Sequence, residues 1–401
     1  MTLDRRDFVS ASFGLLGAAN FAPDRGQQPP RQQPGPGFDP WLEISGGALR
    51  ANVAAASRLA SGRPVLAVLK NNAYGLGLAE VGRVLDSHPQ VLGMAVVRGS
   101  EAQALRAAGV RKPVLLMGRC GDDEALELAR ADVRLAAVGD DAADRLARVA
   151  SRLGRPLGIH LYIDSGMGRM GTLWRRATDW LDQIAARSDL KVEGTFTELT
   201  EDPDFDREQV ERLQALARSA RDRGWSLGPL HAASSAAVTH QPETHLDLIR
   251  PGLMLYGGYV SREAPARAEL RPAYRLHARV VRVDRLETGE GVSYHRRWKA
   301  TQPTWIAVLP AGHVDGYPSG SVKGAEILIG ERLYRVIGTV SASHTVIEVG
   351  SEPTVKVGDL ATLVGDQHPA IHPNEVARRA GYSEYDMFMH LNPLLPRRVT
   401  D

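Results

Sequence analysis

The sequence predicts an α/β protein in which a (βα)8 barrel of the TIM type is followed by a mostly antiparallel β domain. Between about residues 41 and 260, eight short apolar runs alternate with amphipathic helical stretches, and eight is the strand number that closes such a barrel. After about residue 270, apolar and polar residues alternate with few helical stretches between them, which is typical of antiparallel strands. A length of 401 residues leaves room for both domains.

The eight predicted barrel strands follow one another in order along residues 39–268. They are VLAVLK ending at Lys70, GMAVV near Val96, VLLMG near Met117, RLAAV near Val138, GIHLYID ending at Asp164, VEGTFTE ending at Glu198, GPLH ending at His231 and LDLIR ending at Arg250. An open doubly wound sheet is the alternative, but such a sheet usually carries a glycine-rich dinucleotide loop after its first strand. No G-x-G-x-x-G sequence follows the first strand here, so we favour the barrel.

The β domain is predicted to occupy residues 269–401. It contains the alternating runs LHARVVRVDRL, TWIAVLP, AEILIG and LYRVIGTV, which predict strands. One short helix is expected near Pro373 to Gly381.

Residues 1–38 are predicted to lie outside both domains. Arg5 and Arg6 precede a weakly apolar stretch, Phe8 to Ala22, which is too short to span a bilayer. This outline is typical of an export signal of the twin-arginine kind, and the Pro/Gln/Gly-rich segment after it is typical of an extended linker. We therefore expect an exported, periplasmic protein without stable membrane insertion. A frayed N-terminus or an uncleaved anchor is the alternative, and a cytoplasmic location would follow if this is not a signal.

Composition excludes several classes of protein. Hydrophobic residues make up 43% of the chain and charged residues 24%, which is typical of a globular protein. Forty-nine basic and 47 acidic residues give a formal charge of +2 without long runs of one sign, so we expect no nucleic-acid partner. Cys120 is the only cysteine, which excludes internal disulfides and cysteine-based metal clusters. His368 and His372 are a bare pair without further ligands, so no metal site is predicted.

Catalytic groups of βα barrels lie at the C-terminal ends of the strands, which draws attention to Lys70. This lysine closes an apolar strand. A lysine whose stem lies among apolar side chains has a lowered pKa, and its free amine can form a Schiff base with an aldehyde cofactor. A structural lysine that reaches from the strand end into water is an equal alternative on position alone.

Three further strand ends carry polar or glycine-rich sequences. The fifth strand runs into a loop with several glycines and Arg169, which supplies a fork for a carboxylate. The seventh ends in His231-Ala-Ala-Ser-Ser235, and the eighth in Arg250-Pro-Gly252-Leu253. Because barrels commonly hold a phosphate in the loops after strands seven and eight, Ser235 and the amides of Gly252 and Leu253 are the predicted phosphate donors.

Six strings in this order resemble the alanine racemase family of pyridoxal-phosphate enzymes. They are AVLKNNAYGLG, HLYIDSGMGRMG, HAASSAA, IRPGLMLYGG, GEGVSYHRRW and LPAGHVDGYPSG, and the resemblance extends from about Asp39 to Arg397. It implies a βα barrel followed by a β domain, pyridoxal 5'-phosphate as cofactor and a small amino acid as substrate. It also implies a head-to-tail homodimer in which each active site is completed by the β domain of the other subunit.

The resemblance also implies residue roles for a racemase that interconverts L- and D-alanine. Lys70 would hold the cofactor and act as one base, and Tyr294 of the other subunit would act as the opposite base. Two bases on opposite faces suffice, because a proton leaves one face of Cα and another arrives on the other. A packed aromatic of the β domain is the alternative for Tyr294.

The remaining roles concern cofactor and substrate binding. By the same resemblance, Arg250 would face the pyridine nitrogen and leave it unprotonated, because a guanidinium does not readily give up a proton. Tyr74 and Ser235 would bind the phosphate, and His231 would support Arg250. Arg169 and Ala342 would lie on the substrate side.

The sequence departs from the family pattern at several of these places. Tyr162 replaces a carbamylated lysine, so Arg169 needs another orienting group, for which the phenol is a candidate. Glu198 replaces a histidine and could pair with Arg250 or accept a hydrogen bond from the catalytic tyrosine. Three further departures are Ala342-Ser343 for a Met-Asp pair, His313 for a tyrosine and Pro393 for a gate tyrosine. These three predict a roomier pocket that accepts residues larger than alanine, and the last also predicts weaker cofactor binding.

Two rival enzymes on this fold are disfavoured by the cysteine content. Barrel-type amino-acid decarboxylases use a cysteine of the β domain, and D-amino-acid aldolases use a C-terminal His/Cys metal pair, whereas no cysteine lies in this β domain. The alternative of another class is a catalytically drifted homologue that binds the cofactor without racemising, which the departures would favour. The complete motif around Tyr294 favours the enzyme.

Overall fold

A computed structural model describes residues 37–261, 264 and 267–401. The predicted export signal and nearly all of the linker lie outside the described residues.

Regular elements of the first part of the described chain alternate between strands and helices. The strands are β1 (Trp41–Ser45), β2 (Val65–Val68), β3 (Val91–Val96), β4 (Val114–Leu116), β5 (Val133–Ala137), β6 (Leu157–Asp164), β7 (Thr172–Leu173), β8 (Leu190–Phe196) and β9 (Leu230–His231). The helices are α1 (Gly46–Leu59), α2 (Lys70–Tyr74), α3 (Leu78–Asp86), α4 (Gly99–Ala107), α5 (Asp122–Arg130), α6 (Ala142–Leu153), α7 (Ala177–Ala185), α8 (Pro203–Asp222) and α9 (Ser235–His240). Short 3-10 turns span Trp174–Arg176, Pro242–Thr244 and Leu253–Tyr256.

The predicted barrel is confirmed. Strands β2, β3, β4, β5, β6, β8 and β9 pair in parallel in this order. Leu248 bridges to His231 and Ile249 bridges to Val65, and these two bridges close the circle. The eighth predicted strand is therefore present as a two-residue segment, Leu248 and Ile249, that bridges β9 and β2. The strands are rich in buried apolar residues, as expected of parallel strands that are covered on both faces.

Local capping explains where several helices begin. Ser45 accepts a hydrogen bond from the amide of Ala48 at the start of α1 (3.0 Å). Asp202 accepts from the amides of Asp204 and Phe205 at the start of α8 (3.2 Å each), and Pro203 occupies the first helical position. These are the residue types that helix starts favour.

The predicted antiparallel β domain is also confirmed. Its strands are β10 (Tyr274–Arg279), β11 (Arg282–Leu286), β12 (Gly291–Val292), β13 (Trp298–Lys299), β14 (Thr304–Leu309), β15 (Glu326–Ile329), β16 (Arg332–Ile337), β17 (Thr345–Gly350), β18 (Leu360–Val364) and β19 (Arg397–Thr400). Its helices are α10 (Pro373–Ala380) and α11 (Glu384–Met389), with 3-10 turns at Tyr294–Arg296, His313–Asp315, Ser319–Val322 and Pro369–Ile371. Helix α10 is the expected one, and α11 is an addition that the sequence analysis missed.

The two ends of the described chain meet in the main sheet of the β domain. The sheet order is β11-β14-β17-β16-β15-β18-β10-β1-β19, in which β1 pairs with β10 antiparallel and with β19 parallel. Strand β1 thus lies in this sheet although it precedes the barrel. The bounds 1–38, 39–268 and 269–401 remain predictions. Within the described residues, no helix combines the length and the apolar character needed to cross a membrane.

Candidate active site

The backbone directly after Lys70 forms a left-handed turn. Asn71, Asn72, Ala73 and Tyr74 have φ angles of +54°, +57°, +53° and +52°. Each non-glycine residue in this region costs roughly 1–2 kcal/mol, so four in a row need support from the surrounding structure. The turn carries the predicted cofactor lysine at one end and the predicted phosphate tyrosine at the other.

Tyr74 is held beside the predicted phosphate loop. Its ring stacks on Tyr256 at a centroid distance of 4.7 Å, and the Tyr256 hydroxyl donates to the carbonyl of Val68 at the end of β2 (2.9 Å). Lys70 Nζ lies 5.9 Å from the centre of the Tyr74 ring. Burial, with a smaller effect of the acidic groups of Tyr385 and Glu198, holds the pKa of Tyr74 far above its usual value. The phenol therefore stays neutral and keeps a proton to donate.

The predicted phosphate donors converge at one place. Ser235 Oγ accepts hydrogen bonds from the amides of Gly252 (3.0 Å) and Met254 (3.2 Å). A Cβ atom on Gly252 would lie 2.2 Å from the Tyr74 hydroxyl oxygen, so only glycine allows this approach. Leu253 begins the adjoining 3-10 turn. Two hydroxyl groups and a glycine backbone in close approach are a donor set that suits a phosphate group.

Arg250 is buried and tightly bound. Nη1 donates to His231 Nδ1 (3.0 Å) and the His231 carbonyl (2.8 Å), and Nη2 donates to the carbonyls of Thr197 (2.8 Å) and Ala232 (3.1 Å) and to Glu198 Oε2 (3.1 Å). The contact with Glu198 is one of the two pairings expected for this carboxylate. All five of these bonds, which lie within the described residues, are made by Nη1 and Nη2 and none by Nε. The two Nη atoms therefore fix the orientation of the guanidinium.

Two buried histidines, His231 and His160, form a hydrogen-bond chain that leads to Arg250. Because arginine only donates, His231 Nδ1 is the acceptor, and its Nε2 must carry the proton that it shares with His160 Nδ1 at 3.1 Å. Burial, and to a lesser degree the charge of Arg250, holds the pKa of His231 well below its usual value. Burial also lowers the pKa of His160 to about 4. Both rings are therefore neutral at pH 7, and their tautomers follow from Arg250.

Arg169 lies exposed on the loop that follows β6. Asp164 Oδ1 accepts hydrogen bonds from the amides of Gly166 (3.0 Å) and Gly168 (3.1 Å), which shapes the loop. Burial and the charge of Glu198 raise the pKa of Tyr162, and the positive charge of Arg169 opposes them. That the Tyr162 phenol orients Arg169 in place of a modified lysine stays a prediction.

Tyr294 and Ala342 are not brought to the barrel site by this chain. Tyr294 is 67% exposed, and within the described residues its side chain makes no hydrogen bond or ring contact. Its turn contains Ser293 at φ +66°, whose hydroxyl donates to the Thr339 carbonyl (3.0 Å). Ala342 is also exposed. The turn therefore presents the tyrosine outward in a defined way.

Three of the departures in the β domain, at His313, Ala342 and Ser343, share one exposed rim. His313 donates its amide to the Ser341 carbonyl (3.0 Å), and the Ala342 carbonyl accepts from the amide of Val314 (3.0 Å). His313, Ala342 and Ser343 are all exposed. The three substitutions thus change one surface rather than three separate places.

Tyr385 is a site residue that the sequence analysis missed. Its ring lies 6.3 Å from the Tyr74 ring, and it belongs to the missed helix α11. The chain after α11 is held near Tyr74 by Arg397, which donates to the carbonyls of Gly75 (2.8 Å) and Leu76 (2.9 Å). An aromatic ring therefore still lies beside Tyr74 although Pro393 replaces the gate tyrosine. The sequence signal was the capping pair of Ser383 and Asp386, in which the Ser383 hydroxyl accepts from the Asp386 amide (3.2 Å).

The predicted absence of a metal site stays a prediction. His368 Nδ1 accepts from the amide of Ala370 (3.1 Å) and His372 Nδ1 from the amide of Asn374 (3.3 Å), so each ring caps the start of a helical turn. Among the described residues, no group of three or more His, Cys, Asp or Glu side chains is arranged to hold a metal ion.

Comparison with known proteins identifies the family. The sequence profiles of the alanine racemase N-terminal domain and C-terminal domain match residues 44–260 and 273–399. Together these matches cover most of the chain. The chain belongs to the alanine racemase family. Members of this family are isomerases, and this chain is one.

Individual alanine racemases are similar to this chain over most of its length. The chain is 33% identical over 365 residues to an alanine racemase of Desulforamulus reducens, which covers 89% of this chain and 98% of the relative. A crystal structure of alanine racemase from a D-cycloserine-producing Streptomyces lavendulae is 28% identical with a TM-score of 0.82, covering 91% of this chain and 98% of that one. The alanine racemase structure from Clostridium difficile 630 is 25% identical with a TM-score of 0.83, covering 90% and 95%.

Three buried histidines predict that this alanine racemase homologue loses stability in mild acid. The pKa of His231 is held well below its usual value, and burial lowers those of His160 and His277 to about 4. The unfolded chain binds these protons below about pH 6.5 and the folded chain does not, so stability falls as pH drops from about 6.5 towards 4. We expect a loss of about 1–2 kcal/mol per histidine between pH 7 and pH 5.

Urea unfolding at several pH values checks this expectation. His277 lies in the β domain, with Nδ1 3.1 Å from the Thr362 hydroxyl, so His277→Gln removes one titrating group away from the barrel site. This variant should show a shallower decline between pH 7 and pH 5. An unfolding free energy that is constant over this window in the parent chain would contradict the assignment of neutral buried histidines.

Proposed function

We propose that this chain is a pyridoxal-phosphate-dependent amino-acid racemase that interconverts L- and D-alanine. The observation that carries the proposal is the convergence of Lys70, Tyr74, Ser235 and Arg250 at the C-terminal end of one barrel. Membership of the alanine racemase family supports it, because the relatives carry that name.

The residues present fit the cofactor. Lys70 would hold it covalently, and the hydroxyl groups of Tyr74 and Ser235 and the amide of Leu253 would hold its phosphate. The Gly252 amide donates to Ser235 Oγ, and its missing side chain allows the close approach of Tyr74. When bound, the cofactor accepts the electron density that is left on Cα when that carbon loses its proton. Arg250 only donates and is fixed by five hydrogen bonds, so it would donate towards the pyridine nitrogen and leave that nitrogen without a proton.

Proton transfer requires one group on each face of the substrate. Lys70 would hold or return the proton on the barrel side. Tyr294 would act on the other face from the partner subunit, because in its own subunit it is 67% exposed and its side chain makes no hydrogen bond or ring contact within the described residues. We therefore propose a homodimer with shared active sites.

Substrate range is the finer part of the proposal. Arg169, whose charge lowers the pKa of the Tyr162 phenol, would be oriented by that phenol and would bind the substrate carboxylate through its guanidinium fork. At the exposed rim, His313 and Ala342 are smaller than the tyrosine and methionine of the family pattern, and Ser343 is uncharged where the pattern has an aspartate. We propose that side chains larger than the methyl group of alanine are accepted there.

Deuterium exchange tests the activity and its range together. The full chain, supplied with pyridoxal phosphate, is incubated in deuterated water with L-alanine, L-serine, L-methionine, L-lysine and L-arginine, and both label and chirality at Cα are measured. We expect exchange with inversion for alanine and for at least one larger amino acid. Equal rejection of all four larger substrates would refute the roomier pocket and leave the racemase intact.

A catalytically drifted cofactor-binding homologue is the second candidate. The replacements at Tyr162, Glu198 and Ala342-Ser343 favour it, because they alter groups around the predicted bases. In the same experiment this candidate would bind the cofactor and exchange no α-proton with any substrate.

We further propose that the protein is exported to the periplasm. The support is Arg5-Arg6 before a short apolar stretch, which lies outside the described residues. Fractionation of cells producing the full chain, with an Arg5→Lys/Arg6→Lys variant as control, decides it, since a cytoplasmic parent chain would refute export.

A further inference from the structure

Glu101 lies beneath the left-handed turn that follows Lys70. It belongs to the first turn of α4, and 8% of its surface is exposed. Glu101 Oε1 accepts from the amides of Asn71 (2.6 Å) and Asn72 (3.4 Å), and Oε2 accepts from the amides of Val97 and Arg98 (3.2 Å each). One carboxylate thus joins the chain after β2 to the chain after β3.

These bonds meet a specific need of the backbone. The left-handed region is unfavourable for residues other than glycine, although asparagine tolerates it better than most, and none of the four residues from Asn71 to Tyr74 is glycine. A backbone N–H that loses a charged acceptor gives up a stronger hydrogen bond than one that loses a neutral acceptor. The Asn72 side chain adds a second support, because its Oδ1 accepts from the amide of Leu78 (2.9 Å).

A carboxylate accepts hydrogen bonds on both of its oxygens, so Glu101 satisfies all four backbone N–H donors. Glutamine has nearly the same shape, but one end is an NH2 group that donates and does not accept. Whichever way its amide points, two backbone N–H groups would face a donor instead of an acceptor.

We propose that Glu101 is a positioning residue of the active site: it holds the left-handed turn, and thereby sets the relative placement of the Lys70 amine and the Tyr74 hydroxyl. The link from this placement to catalysis rests on the proposed function. The link from Glu101 to the turn does not, because it is a property of the protein without substrate.

Glu101→Gln in the full chain tests the proposal, with Asp86→Ala as the control, because this change removes a carboxylate acceptor of two backbone amides. Asp86 Oδ1 also accepts two backbone amides, from Arg111 and Lys112 (2.9 Å each), but these precede β4 at the opposite end of the barrel. Hydrogen–deuterium exchange is followed by mass spectrometry in peptides that cover residues 69–78 and 96–99. Steady-state racemisation then gives kcat and KM separately.

In Glu101→Gln we expect exchange to accelerate at least tenfold in those two peptides and kcat to fall by about 10- to 100-fold, since small misplacement of a reacting group costs this much. KM should change less than kcat. The control should keep kcat within about twofold. Glu101→Asp, whose shorter stem cannot reach both pairs of amides, should show the same pattern, and it replaces Glu101→Gln if that variant does not fold.

Two results would overturn the proposal. One is unchanged local exchange in a folded Glu101 variant. The other is a loss of kcat that appears equally in Asp86→Ala, which would indicate general destabilisation. If the parent chain does not racemise at all, the proposed function fails, and the exchange data alone still decide whether Glu101 holds the turn.

Discussion

Lys70→Ala should abolish racemisation, with kcat lowered by at least about 10³-fold, because it removes both the covalent attachment of the cofactor and one of the two bases. Lys70 is the predicted strand-end lysine whose amine lies 5.9 Å from the Tyr74 ring centre. Lys70→Arg provides no amine for attachment and should be equally inactive. The measurement is the rate of L- to D-alanine conversion with saturating pyridoxal phosphate.

Attachment is measured separately from activity. Borohydride reduction of the loaded parent chain should leave the mass of the cofactor on the peptide that contains Lys70, and on no peptide of the Lys70→Ala variant. Lys112→Ala is the control, because Lys112 Nζ donates to the Val91 carbonyl (2.6 Å) at the other end of the barrel. A cofactor mass on another lysine, or a Lys70→Ala variant that racemises normally, would refute the assignment.

Mixed dimers should recover activity that neither parent variant has. Lys70→Ala and Tyr294→Phe are each expected to be inactive as homodimers. If Tyr294 of the partner subunit completes each site, a heterodimer of the two variants has one doubly altered site and one unaltered site. Random mixing of equal amounts, in which half of the dimers are mixed, should then restore about one quarter of the parent activity.

Co-expression with two different affinity tags isolates the mixed dimers for this measurement. The purified heterodimer should show about half of the parent activity per dimer. The two homodimers, purified in the same way, serve as controls. If no activity returns, Lys70 and Tyr294 act within one subunit or Tyr294 is not a base, and the shared-site dimer is wrong.

Much of the fold could be read from local sequence patterns. The apolar runs that end at Lys70, Asp164, His231 and Arg250 correspond to strands or bridging segments of the barrel. This worked because apolar runs that alternate with amphipathic helices are a local signal that needs no knowledge of distant contacts. Helix α11 was missed because it has only six residues, which is too short for a clear period.

The roles of the predicted site residues stay predictions, and the sequence did not indicate how these residues connect. Lys70, Ser235 and Arg250 follow from their positions at strand ends together with the family resemblance. The contact of Arg250 with Glu198 was one of two alternatives, and the structure decides between them for this subunit. Tyr385 was missed because its neighbour Tyr74 is more than three hundred residues away in sequence.

The sequence by itself determined the barrel, the β domain and the chemical groups at the strand ends, because periodicity and residue type are local properties of the chain. Tertiary structure alone decided three other features: the left-handed turn held by Glu101, the Arg250–His231–His160 hydrogen-bond chain, and the place of β1 in the sheet of the β domain. Each depends on groups far apart in sequence. Their distances and exposure to water are set only when the chain has folded, and those two quantities govern hydrogen bonding and pKa.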